Sequence, residues 1–153
     1  YLVRWWSEAL VRFYDKTGHP EARTFLQEIL AFMEKNAASA SANPVLEGCP
    51  LWPASPTKSL YPHHVAGLFL EGLANPSRRD PITAQRQIKI SSSFARCLLR
   101  QQLRDWNLDT VDRSLGSLGT WRYGLNEPGT RIDVHAHAQL GLQRYLEKIG
   151  NFP

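Results

Sequence analysis

The sequence predicts an all-α fold: five helices and no sheet, packed as antiparallel αα-hairpins. Three observations lead there. Apolar residues recur at the helical period along five separate stretches, the connections between them alternate between short and long, and the first and last stretches repeat one another. With 153 residues the chain is read as one helical-hairpin domain spanning 1–153, large enough to bury a core without staples. Apolar residues make up 42% and charged residues 21%, the ordinary mix of a globular protein. No apolar run reaches the roughly 18 residues that a membrane-spanning helix needs.

Leu2, Trp6, Ala9, Leu10 and Phe13 recur at helical spacing, and Gly18 stops that first helix. Pro20 then stands where a first-turn proline belongs, ahead of a second stripe of Ala22, Phe25, Leu26, Ile29, Leu30 and Met33. A third helix begins near His63 and carries Val65, Leu68, Phe69, Gly72 and Leu73. A fourth runs from about Thr83 to Trp106, with Ala95, Leu98, Leu99, Gln102, Leu103 and Trp106 along one side. The fifth holds Val134, Ala138, Leu142, Tyr145 and Ile149. Its opening, Ile132 to Leu140, also alternates like a strand. Past Leu140 only the helical period fits, β-branched residues are few, and Asp133 is a good N-cap. Trp5, Trp6 and Trp106 are expected to pack into the core.

Short turns at "KTGHP" and "ANPSRRDP" join the first helix to the second and the third to the fourth. Long stretches, roughly Ala37 to Pro62 and Asn107 to Arg131, make the other two connections. If the helices alternate in direction, both long loops fall at one end of the molecule. Loops of this length are usually functional or disordered, and these carry tryptophans, in "PLWPASP" and "GTWRYG", which disordered linkers seldom do. "ALVRFYDKTG" (Ala9 to Gly18) matches "GLQRYLEKIG" (Gly141 to Gly150) in Leu, Arg, Lys and Gly, and the third helix gives a fainter echo in "GLFLEGLA". The first, third and fifth helices are then equivalent, each leading an αα-hairpin. On that reading the fifth lacks its partner, and the chain is expected to be truncated at both ends.

Lys and Arg exceed Asp and Glu by 18 to 14, a formal charge of +4. The cations are scattered rather than blocked, so no nucleic-acid partner is expected. Cys49 and Cys97 match no metal spacing and do not suggest a disulfide framework; a buried thiol is expected at Cys97.

"RIDVHAHAQL", Arg131 to Leu140, resembles the "DxHxH" with which amidohydrolase-type metal enzymes open a barrel strand. Too little chain follows for that barrel, and on a helix His135 and His137 point to nearly opposite sides. No metal and no cofactor are expected. What remains is a helix start bearing Arg131, Asp133 and His135, echoed at the third helix by "YPHHV" with His63 and His64. The functional reading makes these groups line one cleft, with Asp133, His135 and His63 handling protons. The plainer reading makes Asp133 a cap, Arg131 its ion-pair partner and the histidines polar surface. Trp52, Tyr61, Trp121 and Tyr123 are candidate stacking faces for sugar rings, and Arg122 and Arg131 suit a carboxylate through paired contacts. His64 completes the binding set.

"EALVRFYDKTGHPEARTFLQEIL" resembles the leading hairpins of α/α-toroid enzymes, the six-hairpin glycosidase, uronic-acid epimerase and polysaccharide lyase kind. "GTWRYG…RIDVHAHAQLGLQRYLE" is similar to a late hairpin of such proteins. The resemblance implies a partial α/α-toroid with a carbohydrate ligand at the long-loop end. It further implies an enzyme acting on a glycan or uronic-acid-containing polysaccharide by hydrolysis, elimination or epimerisation. The alternative is a non-catalytic helical-repeat scaffold that binds a protein or peptide through its long loops.

Overall fold

A computed structural model describes residues 2–37, 46–50, 62–102, 121–124, 127–130 and 132–149. Five helices carry the fold: α1 (Leu2–Thr17), α2 (Pro20–Lys35), α3 (Pro62–Leu73), α4 (Pro81–Gln101) and α5 (Ile132–Lys148). The expectation of no sheet needs one correction. A small antiparallel hairpin, β1 (Arg122–Gly124) and β2 (Glu127–Thr130), lies just ahead of α5, pairing Arg122 with Thr130 and Gly124 with Glu127. This stretch has no helical apolar period and is rich in Gly and Pro, so local strand pairing takes up its backbone hydrogen bonds.

The helix ends follow local chemistry. Gly18 adopts φ +71°, the left-handed geometry that closes α1, and its N–H donates to Tyr14 O at 2.7 Å. Pro20 opens α2. Asp80 caps α4, its carboxylate accepting from the backbone of Ile82 and Thr83. α4 ends at Gln101, with Gln102 already extended, well before the expected Trp106; Leu103 and Trp106 fall outside the described residues.

The helices form two layers. α1, α3 and α5 lie side by side with α3 in the middle, while α2 packs on α1 and α4, and α4 on α3 and α5. α3 is buried continuously from Ala66 to Leu73, as a central helix must be. The core joins Leu26, Leu30 and Met33 of α2 to Leu70 and Leu73 of α3, Phe94 and Leu98 of α4, and Val134 and Ala138 of α5.

α1 turns the other way from expectation. Its buried side is Ser7, Val11 and Tyr14, whereas Trp6 and Phe13 of the predicted stripe are 49% and 47% exposed. Trp6 meets Phe25 of α2 edge-on at 5.8 Å instead of entering the core. Both faces of α1 are apolar, so periodicity could not choose between them. Leu99 of α4 is likewise half exposed.

The described parts of both long connections meet at the C-terminal half of α4. Cys49 is disulfide-bonded to Cys97, with Cα atoms 5.1 Å apart. This corrects the free thiol expected at Cys97: the connection folds back over α4 and joins residues 48 apart, which no spacing rule reveals. Arg100 bonds Glu47 O beside it. From the other connection, Trp121 Nε1 donates to Leu98 O at 2.8 Å.

Candidate functional site

Glycine sets the geometry of the α3–α5 contact. A Cβ built on Gly67 would lie 2.7 Å from Ala138 N and 2.8 Å from His137 C, and one on Gly141 would lie 2.8 Å from Gly67 O. Only hydrogen fits at these positions, so the two backbones touch. The register places the first turn of α3 beside the first turn of α5, so the two histidine-bearing helix starts of the sequence share one end of the seam.

Along this seam α3 presents Glu71, whose side chain is 0% exposed. Glu71 Oε1 lies 2.7 Å from His137 Nδ1, and the imidazole remains 25% exposed. With Glu71 ionised, Nδ1 is the donor of this bond and Nε2 is the ring nitrogen turned away from the carboxylate. Burying a carboxylate is costly unless it is paired and hydrogen-bonded. Arg144 donates to the backbone carbonyl of Glu71 at 3.3 Å, not to its carboxylate, and approaches Glu8 of α1 at 3.5 Å, and Glu8 holds Arg12 at 2.6 Å. A polar network thus crosses all three leading helices.

His135 points away from this pair, against Trp121, with ring centroids 5.5 Å apart, and its buried Nδ1 has no partner among the described residues. The opposite orientation of His135 and His137 is the one helical geometry dictates. Among the described residues no three His, Cys, Asp or Glu side chains group as metal ligands would.

Asp133 is half-buried within the first turn of α5, one position inside the helix rather than at the cap expected for it. There its charge still favours the positive helix end. Trp121 is 2% exposed and hydrogen-bonded, so it fastens its connection to α4 and has no open face for a sugar. His63 and His64 fall in the first turn of α3, and Arg122 and Tyr123 on β1. Trp52, Tyr61 and Arg131 lie outside the described residues.

The sequence reading missed Glu71 and set His137 aside with the metal motif. One signal could have found the first: Glu71 is the sole charged residue in "VAGLFLEGLA", a stretch apolar enough to be buried all round.

Fold and site together define an all-α, two-layer helical-hairpin protein with a buried carboxylate–histidine pair on its central seam. Compared with known proteins, the chain matches no family model, no curated protein and no solved structure. Among the described residues no helix is long and apolar enough to cross a membrane.

Proposed function

We propose that this chain is a carbohydrate-active enzyme domain of the α/α-toroid type, acting on a glycan or uronic-acid-containing polysaccharide by hydrolysis, elimination or epimerisation. One observation carries the reading: the buried Glu71 orients a partly exposed His137 at 2.7 Å. A base held in one tautomer by a third group is the arrangement proton transfer from a substrate carbon or hydroxyl requires. His137 Nε2 is the acceptor, Glu71 positions it, and Asp133, one helical turn earlier on the same face of α5, is the second proton-handling group. His135, packed on Trp121, is left with a supporting role. The Cys49–Cys97 disulfide fits an oxidising compartment.

The test is turnover of polyuronates and neutral glycans. New reducing ends report hydrolysis, the ultraviolet absorbance of an unsaturated uronate reports elimination, and proton NMR reports epimerisation. His137→Gln keeps a donor for Glu71 and removes the basic nitrogen. It should fold normally and lose activity by at least about a hundredfold. A wild type inert on every glycan, or a fully active His137→Gln, overturns the proposal.

A second reading, the non-catalytic helical-repeat scaffold, is favoured by one feature. Trp6, Ala9, Leu10 and Phe13 of α1 line an open, wholly apolar groove, the kind of surface that receives a protein or peptide. Catalytic turnover that depends on His137 decides against it.

A further inference from the structure

A cleft of about 940 Å³ opens between α1 and α5, beyond the end of α3. Helix length creates it. Because Gly67 lies against Ala138, α3 stops at Leu73 beside Arg144, whereas α5 continues to Lys148 and α1 runs on to Thr17. The α3–α4 turn and the start of α4 close the back, and Val11, Ala84 and Ile88 form an apolar floor. Its size is that of a small-ligand site.

Three exposed cations, Lys16, Arg78 and Lys148, stand around this floor, and no carboxylate pairs with their side chains among the described residues. Asp15 also lines the cleft, but Ser77 Oγ at 2.6 Å and the backbone N–H groups of Arg78 at 2.9 Å and Arg79 at 3.3 Å occupy its oxygens. Lys16 and Lys148 are the same position in the two copies of the internal repeat. The repeat therefore sets one ammonium on each wall. A lysine in a last helical turn is ordinary, since it offsets the helix dipole. That accounts for each lysine alone and not for the convergence of both, with Arg78, on one concave apolar floor.

We propose that this cleft binds an acidic saccharide, a short uronate oligomer whose carboxylates meet Lys16, Arg78 and Lys148 while a ring face covers the partly exposed Ile88. The saccharide body rests on the polyuronate reading above; the negative charge rests on the cations. Among the described residues no aromatic side chain lines the cleft, so they supply no platform of the kind on which single-stranded nucleic acid stacks its bases. His137 and Lys148 stand about 16 Å apart along α5, so this is a binding site separate from the proton-transfer pair.

The test is calorimetric titration with an oligogalacturonate, a neutral oligosaccharide of equal length, inorganic sulfate and a single-stranded oligonucleotide. The oligogalacturonate should bind and the neutral oligosaccharide should not, with affinity falling steeply as salt is added. Lys16→Gln with Lys148→Gln should weaken binding at least about tenfold, the paired Lys→Arg exchanges should restore it, and thermal melts should show all these variants folded. His137→Gln should leave the affinity unchanged. Absence of binding, full binding by the double Gln variant, or equally tight binding of sulfate or the oligonucleotide overturns the assignment. Binding without turnover sinks only the proposed activity, and turnover with affinity untouched in the double Gln variant sinks only this cleft.

Discussion

Two helix seams in this molecule are built on opposite principles. α3 and α5 touch backbone to backbone where Gly67 meets His137 and Ala138 and where Gly141 meets the Gly67 carbonyl. α2 and α4 are instead laced together by long polar side chains. Arg23 meets Asp80 at 2.6 Å, Gln27 bonds Thr83, and Arg86 grips both oxygens of Glu34 at 3.0 and 2.6 Å while reaching Gln27. The first seam leaves no room for the two backbones to approach further, and the carboxylate–histidine pair is set across it. The second tolerates adjustment, because flexible side chains on a partly solvated surface can re-form their contacts. The candidate chemistry lies on the rigid seam, and the polar lacing keeps the outer layer in register.

Breaking the rigid seam should have the largest effect. Gly67→Ala drives a methyl group into the backbone of His137 and Ala138, which have no freedom to retreat. The expected cost is about 3 kcal/mol, at the upper end of overpacking, read as a lowered urea midpoint with an unchanged slope. An unchanged midpoint would mean that the α3–α5 contact opens easily and fixes nothing.

The buried end of the polar seam should come next. Burial pushes the Asp80 carboxyl up, but bonds from Arg23 and from the side chain and backbone of Thr83 outweigh it and hold the group at about 2. Since this lies below the unfolded value, the stability Asp80 contributes is complete above about pH 4 and is lost as pH falls toward 2. The difference in unfolding free energy between wild type and Asp80→Asn should shrink across that window by on the order of 1–2 kcal/mol, allowing for screening at the half-exposed Arg23. A constant difference would show that Asp80 acts only as a cap, which Asn does about as well.

The exposed end should matter least. The Arg86 guanidinium holds Glu34 below the usual carboxylate range, and Glu34 raises Arg86 in turn. Both groups are partly solvated, however, so Arg86→Gln should cost under about 1 kcal/mol and less still in high salt. A loss comparable with that of Gly67→Ala would erase the contrast between the seams.

Local sequence determined the five helices, the turns that join them and the all-α class, because these depend on residues within a few positions of one another. Gly18 and Pro20 punctuate the first hairpin through their own backbone preferences. The apolar runs of α2, α3 and α5 have only one face to bury or, in α3, no polar face at all. The long connections were legible from the Gly, Pro and Asn between the runs, and their described parts meet at one end, on α4.

Tertiary structure decided whatever needed two distant segments. α1 has two apolar faces, and only packing against α2 and α3 selected Val11 and Tyr14 over Trp6 and Phe13. The pairing of Cys49 with Cys97 depends on a connection folding back over α4. Glu71 and His137 are 66 residues apart and meet only because Gly67 and Gly141 let two backbones touch. Periodicity reports which residues share a face of one helix; it carries no information about which two faces meet, and the candidate site lies where two of them do.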